Sequence, residues 1–391
     1  MTSKFKIGIA GLSRGRSWVD VFESHSSRVE VVALCDIDED KLKEVGEAFK
    51  LEDKHLYRKY DEFINDNFDI VAIATPIPFH TEHTVKALES GKHVLCEQTV
   101  AYTVAECEKV IDTVKKSGKS YMMAENYCYF HYIQQWKKMI NEGRLGEIVY
   151  AEAEYIHNVE ELLINGKTGE RFWRNLRAPI WYSAHTIGPI LYLTNDRIVR
   201  ASGRHCGYHR WPDKIKEPGF LDMEVGIFET KNGIILKILR SQTAVHHHMV
   251  YYCLYGTKGS VENHRIRGQK GILTIENETG IDKQVQFGEK PELIQPGYET
   301  FSPPPPKIDK DKVGGQLIDS KLVDPNAPED AYIVHGTSEY YLIKEFLDSI
   351  ENKTKPPIDV IRSVEFTIPG IIAHESALKN GEWMEVPQYS W

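Results

Sequence analysis

No apolar run in this 391-residue chain comes near the roughly 20 residues that a membrane-crossing helix requires. The first residues, Met1-Thr-Ser-Lys-Phe-Lys-Ile7, enter a strand-like segment without the apolar core of a signal peptide. A cytoplasmic location with no membrane partner is the resulting expectation. The six cysteines, Cys35, Cys96, Cys107, Cys128, Cys206 and Cys253, show no paired spacing, which argues against a disulfide framework and against a structural zinc site. Positive charge is not in excess: 48 Lys and Arg face 57 Asp and Glu, a net charge of −9. That balance argues against nucleic acid as a partner. No internal repeat is present.

What is there is an ordinary globular balance, 41% hydrophobic and 27% charged, in a chain long enough for two domains. Strand-like and helix-like segments alternate over the first 120 or so residues. Short apolar strands at 6–10, 29–35, 69–74, 92–96 and 120–124 are separated by helical patterns at about 17 onward, 38–49, 60–67, 80–90 and 104–117. Continuous apolar strands between helices signal a parallel sheet covered on both faces. Beyond Glu125 comes a helix over 132–142. Longer alternating strands follow at 149–157, 198–206, 221–229, 233–242 and 247–255, with a hairpin signal at Lys231-Asn232-Gly233. Two helices, 338–352 and 359–379, close the chain, and the proline-rich stretch 303–327 is expected to be a surface loop. The fold class is therefore α/β. A dinucleotide-binding domain of the Rossmann type over 1–124 precedes an α/β domain over 125–391 with an open, mostly antiparallel sheet. Such a sheet has apolar residues on both faces, so a homodimer or homotetramer through its outer face is expected.

Gly8, Gly11 and Gly15 fall between the first strand and first helix, where glycine permits a tight turn and close approach of phosphate to backbone N–H. The fingerprint is incomplete, because Ser13 and Arg16 occupy the remaining glycine positions counted from Gly11. Asp36 ends the second strand, where an acidic group bonds the adenosine ribose hydroxyls. A carboxylate there repels a 2′-phosphate and favours NAD over NADP, although Arg14 and Arg16 keep a phosphate contact open. Thr75, Pro76 and His80 follow the third strand and Glu97 follows the fourth. That is the edge at which an open α/β sheet binds its ligand.

Taken together with Gly91-Lys-His-Val-Leu-Cys-Glu97, Gly143-Arg-Leu-Gly-Glu-Ile148 and Tyr255-Gly-Thr-Lys-Gly259, these pieces resemble the Gfo/Idh/MocA family of nicotinamide-dependent sugar oxidoreductases. The family usually carries Glu-Lys-Pro after the fourth strand, with the lysine near nicotinamide and substrate. Here the triplet is Glu97-Gln98-Thr99, and Gln98 can hydrogen-bond but carries no charge. The segments Ala124-Glu125-Asn126, Tyr155-Ile-His157-Asn158, Trp173-Arg174-Asn175 and Tyr182-Ser-Ala-His185 look like the family branch of NAD-dependent, α-N-acetylgalactosaminidase-like glycosidases. That branch also lacks the lysine. Its Gly-Gly pair before the penultimate helix is matched only in part, by His335-Gly336-Thr337.

The resemblance implies NAD-dependent removal of a hydride from a sugar ring carbon, C3. In the glycosidase branch this opens a redox-neutral sequence of oxidation, elimination, water addition and reduction, an exception to the paired-carboxylate rule. A simple sugar or inositol dehydrogenase releasing NADH is one alternative. A non-catalytic NAD-binding sensor is another, disfavoured by an acid/base pair that a sensor does not need. His185 suits the role of proton acceptor, since an ordinary imidazole titrates near ~6.5. Tyr182, three residues earlier, shares its face if the segment is helical. Tyr155 and His157, two apart on a strand, point to one side. Glu125 and Asn126, with Gln98, Trp173, Arg174, His248 and His335, are candidates for holding the sugar. Phe172, Trp181 and Trp211 are further aromatic candidates for stacking on it. On a strand, His246 and His248 would share a face, but two histidines without a carboxylate or cysteine make an incomplete metal site. No metal is expected.

Overall fold

In the computed structural model, which describes residues 4–210, 216–265, 271–276, 322–332 and 335–391, the N-terminal strands form one parallel sheet in the order β3-β2-β1-β4-β5-β6. These are β1 (Phe5–Ala10), β2 (Val29–Cys35), β3 (Leu56–Tyr57), β4 (Ile70–Ile73), β5 (His93–Cys96) and β6 (Tyr121–Met123). Helices α1 (Leu12–Glu23), α2 (Glu39–Ala48), α3 (Tyr60–Phe63), α4 (His80–Glu89) and α5 (Val104–Ser117) connect them. All four residues of β4 are buried, as a strand covered on both faces requires. Capping sharpens the helix starts. Asp38 accepts from the Lys41 amide at 3.2 Å, and Thr103 with Glu106 forms a reciprocal capping box on α5.

Three local expectations are corrected. Helix α1 begins at Leu12 rather than about residue 17, because Asp36 accepts from the Leu12 amide at 2.6 Å and satisfies one of the orphan donors of a helix start. The two-residue edge strand β3 is too short for sequence periodicity to register. The helix expected over 60–67 stops at Phe63. The chain then turns at Asp66, whose carboxylate is held by His55 and the Tyr57 hydroxyl, each at 2.8 Å.

The second part opens with α6 (His131–Asn141) and builds an eight-stranded sheet in the order β13-β12-β11-β7-β10-β9-β8-β14. Its strands are β7 (Ile148–Ile156), β8 (Ile198–His205), β9 (Glu224–Thr230), β10 (Ile235–Ser241), β11 (Met249–Gly256), β12 (Gly259–Glu262), β13 (Ile272–Ile275) and β14 (Met384–Glu385). Among the described residues, only the β7–β10 pair of this sheet is parallel. The β9–β10 hairpin turns at Lys231-Asn232-Gly233 as expected, with Gly233 at φ 87°. Because β11 starts at Met249, His246, His247 and His248 precede it in a loop, and the shared strand face expected for His246 and His248 does not exist. His246 lies against His247, while His248 stacks on His157. Trp211 and most of the proline-rich stretch 303–327 fall outside the described residues.

Helices α7 (Ala184–Thr194) and α9 (Val360–Leu378) pack on this sheet, against β7 and against β8 and β9, with α9 also reaching β6 of the first, while α8 (Ser338–Glu351) packs on α1 and the turn at Asn126–Tyr129. The Met123 amide donates to the Ile358 carbonyl at 3.2 Å, the Val100 amide donates to Thr367 Oγ1 at 3.3 Å, and Arg28 pairs with Asp348 and Glu351. The carboxyl edge of the parallel sheet therefore faces β7 and α7 across a cleft. No helix among the described residues is long and apolar enough to cross a membrane.

Candidate active site

The cleft holds about 520 Å³ and runs from Asp36, Asp38 and Lys41 at one end to Tyr155, His157 and His248 at the other. At the first end Gly11 adopts φ 90°, and a Cβ there would stand 2.5 Å from the carbonyl carbon and oxygen of Ala74. Only glycine lets the β1 turn pass the tip of β4 so closely. The carboxylate of Asp36 accepts from the Leu12 and Asp38 amides at 2.6 and 2.9 Å. It is thereby fixed at the rim beside the start of α1, an arrangement that fits a dinucleotide with its ribose on Asp36 and its pyrophosphate at the helix start.

Ser13, Arg14, Thr75, Pro76, His80, Glu97 and Gln98 line the same cleft. Gly8 and Gly15 do not. A Cβ on Gly8 would strike the rings of Phe63 and Phe68, and one on Gly15 would strike Ile9 Cγ2 at 2.9 Å. Both are packing glycines, and their assignment to the cofactor is corrected. Arg16 pairs with Asp20 and stays outside the cleft. Arg14 pairs with Glu97 at 2.7 Å and Glu339 at 3.0 Å, so its charge is already balanced and is not held ready for a 2′-phosphate. His80 is a positioning residue. Its ring nitrogens lie 2.7 Å from the Thr99 carbonyl and 2.8 Å from the Thr75 carbonyl, which ties together the loops after β4 and β5.

At the other end His185 occupies the first turn of α7. Its Nδ1 is 2.7 Å from Glu125 Oε1, and its Nε2 is 2.7 Å from the Gln98 amide nitrogen. The Tyr127 ring stacks on the imidazole at 3.7 Å, and the Tyr252 hydroxyl donates to the His185 carbonyl. The amide of Gln98 donates to Nε2, so the ring proton sits on Nδ1 facing Glu125. Burial, reinforced by the charge of Arg240, pushes His185 well below the ordinary imidazole range. Burial likewise pushes Glu125 well above the carboxylate range, against the opposing hydrogen bond from the Tyr127 amide. Both shifts favour the uncharged forms, so His185 departs from the ordinary titration expected of it. Gln98 Oε1 and Glu125 Oε2 are buried without partners. Gln98 itself lines the cleft.

Tyr182 lies just before α7, so no helical face relates it to His185, contrary to expectation. The fold still brings their rings to 5.3 Å. The Tyr155 hydroxyl is 3.0 Å from His157 Nδ1 and its ring is 5.5 Å from His185. Burial raises Tyr155 to about 12 and lowers His157 to about 4, with Arg240 adding to the latter. Of the candidates for holding the sugar, Asn126, Trp173, Arg174, His248 and His335 line the cleft with Gln98. Glu125 lies wholly behind it, and Phe172 and Trp181 do not reach it.

Four residues of the site went unread in the sequence. Tyr127 stacks on His185. Glu339 binds His335 Nδ1 at 2.6 Å, Asn126 Nδ2 at 3.0 Å and Arg14. Burial alone would raise Glu339, but His335 and Arg14 hold it well below the usual carboxylate range. Arg177 and Arg240 lie under the tyrosines, with guanidinium carbons 3.8 Å from the Tyr182 ring and 4.1 Å from the Tyr155 ring. The four-residue spacing from His335 to Glu339 was a usable signal for one of them, and Arg240 had none.

Comparison with known proteins places these features in context. A family model described as an oxidoreductase family with an NAD-binding Rossmann fold matches residues 5–125, and a Gfo/Idh/MocA C-terminal domain model matches residues 133–262. An α-N-acetylgalactosaminidase of Shewanella oneidensis is 34% identical over 203 residues, 49% of this chain and 44% of that protein. A glycosyl hydrolase family 109 protein of Shewanella pealeana is 32% identical over the same share. The chain therefore spans about 44% of the length of these curated relatives. Among solved structures, a levoglucosan dehydrogenase in complex with NADH and L-sorbose superposes with TM-score 0.77 at 17% identity, covering 99% of this chain and all of that one. Myo-inositol 2-dehydrogenase of Lactobacillus plantarum gives 0.68 at 17%, covering 98% and 100%. At such identity the likeness is one of fold.

Proposed function

Because the chain belongs to the Gfo/Idh/MocA family of NAD-binding oxidoreductases, we propose that it oxidises a sugar or glycoside at C3 as the first step of a redox-neutral glycoside cleavage. The observation that carries this reading is the single cleft joining the Asp36 rim to the buried His185–Glu125 pair. NAD held on Asp36 and the start of α1 would supply a reversible hydride acceptor for C3, so that the sequence closes without net redox change. His185 Nε2 takes the C3 hydroxyl proton once the substrate hydroxyl displaces the Gln98 amide from it. Glu125 holds the Nδ1 proton and offsets the imidazolium charge that develops, as the carboxylate of a catalytic triad does.

With C3 a ketone, the C2 hydrogen becomes acidic and Tyr182 is the group to remove it. Burial raises this phenol, and the Arg177 guanidinium beneath its ring offsets part of that shift. The C1 substituent then leaves, water adds to C1 and C2 is reprotonated, so that reduction of C3 completes a net hydrolysis. The uncharged Gln98 supports this reading, since it steadies the imidazole without adding a second titrating group. Glycosides are incubated with the protein and NAD while reduced nicotinamide absorbance and aglycone release are followed together. Cleavage without NADH accumulation is expected. Net NADH accumulation would make the protein a dehydrogenase, and neither signal on any glycoside would leave it an NAD-binding sensor.

A further inference from the structure

The sugar end of the cleft is lined and underlain by three arginines, of which the mechanism above uses only Arg177, through its place beneath the Tyr182 ring. Arg174 lines the cleft, and its guanidinium carbon lies 4.3 Å from the centre of the Trp173 ring. Arg177 is buried. One of its nitrogens, Nη2, donates to Gln242 Oε1 at 3.1 Å, while Nε and Nη1 have no partner. Arg240, also buried, donates to the Pro179 and Tyr155 carbonyls at 3.2 and 3.1 Å. None of the three stands within ion-pair distance of a carboxylate among the described residues. The groups around them are Tyr102, Tyr155 and Tyr182 and one another. The buried acids nearby are already engaged: Glu224, opposite Arg240 in the β9–β10 pair, is held by the Ile180 amide and His374, and Glu125 is held by His185.

Two buried guanidinium charges and a half-buried third with no carboxylate at ion-pair distance are costly, and proteins ordinarily pair such charges. The opposite end of the same cleft differs, for there Arg14 is paired with Glu97 and Glu339. We propose that the sugar end is built for a saccharide carrying an oxyanion, a carboxylate or a sulfate ester, seated on the Arg174 guanidinium. Resting on the reading of this end as the sugar site, the proposal narrows the substrate class to acidic sugars. The planar fork of arginine matches such a group with two parallel hydrogen bonds. Arg177 and Arg240 lie too deep to touch it, and act by making the local potential positive. Trp173, against the other side of the Arg174 guanidinium, keeps the fork oriented.

The test titrates the full chain, saturated with NAD, with matched pairs in a calorimeter. The pairs are glucuronate and glucose, galacturonate and galactose, and 6-sulfated and unsulfated N-acetylgalactosamine. The acidic member of at least one pair is expected to bind about 10- to 100-fold more tightly, the scale of a hydrogen bond between charged groups. The preferred pair tells carboxylate from sulfate. Arg174→Gln should bring that ratio close to one, and Arg174→Lys should keep part of it. NAD titration of each variant first verifies its fold, and should a variant fail there, the wild-type ratios alone decide. Equal binding within every pair, no binding of any acidic member, or a ratio unchanged in Arg174→Gln overturns the proposal. NADH formation and aglycone release, followed on the corresponding glycosides, separate this idea from the oxidation reading. Acidic preference without any turnover sinks only the oxidation reading, and turnover of neutral and acidic substrates at equal kcat/KM sinks only the oxyanion site.

Discussion

Replacing His185 by glutamine separates catalysis from binding more cleanly than any other change in this cleft. Glutamine keeps a hydrogen bond to either Glu125 or Gln98, which flank the imidazole at 2.7 Å on opposite sides, but it cannot accept a proton at C3. Loss of a general base costs about 10²- to 10⁴-fold, which corresponds to about 3–5 kcal/mol on the barrier. The variant also loses the stack on Tyr127 and one buried hydrogen bond, an expected cost of about 1–3 kcal/mol in stability, read as a lowered melting temperature. NAD affinity should hold, because Asp36 and Gly11 lie at the far end of the cleft. The pH profile carries a second signature. Burial depresses His185, so the base stays neutral through the range in which an ordinary imidazole, near ~6.5, gains its proton. The acidic limb of the wild type should therefore lie well below that range. Single-turnover NADH formation on a responsive glycoside, across pH, measures both effects. A wild-type limb at or above the ordinary imidazole range, or a His185→Gln protein with wild-type rate, would refute the assignment and move Tyr182 or Tyr155 to the front.

Three further outcomes are expected. Asp36→Ala should weaken NAD by about 1–3 kcal/mol, the scale of hydrogen bonds to a charged group. Calorimetry in which the wild type binds NADP more tightly than NAD would contradict the role of that carboxylate. Arg14→Ala leaves the half-buried Glu97 without its arginine and the buried Glu339 with His335 alone. Glu339 is depressed in the fold, so its stabilising effect is complete above the unfolded carboxylate value of ~4.3 and fades only as pH falls below it. Acid unfolding should thus begin at higher pH in Arg14→Ala than in the wild type, and identical acid transitions by circular dichroism would rule the network out. The outer face of the large sheet carries Val149, Val225, Ile227, Ile235 and Leu239 at least partly exposed. Light scattering at micromolar concentration should give a dimer or tetramer, and a lone 44.9 kDa species would contradict it.

Much of the architecture follows from the order of residues alone. Continuous apolar runs such as Ile70–Ile73 make sense only when both faces are covered, and the period-two pattern of Glu224–Thr230 only in a sheet with one open face. Gly11, Asp36 and the Tyr155–His157 pair were legible because their meaning is local: a backbone angle, a strand end, a side shared at a spacing of two. Asp36 even sets the start of α1, a consequence that no periodicity displays. The state of the site was decided only when distant segments met. Arg14 and Glu339 are 325 positions apart, His185 and Gln98 are 87 apart, and Arg240 slides under Tyr155 from another strand. Whether a histidine titrates normally, which glycines face a ligand and which face Phe63, and whether an arginine has a carboxylate beside it are properties of burial and neighbours. A spacing can propose such neighbours. Only the packed fold supplies the desolvation and the partners that set the protonation of His185 and Glu125.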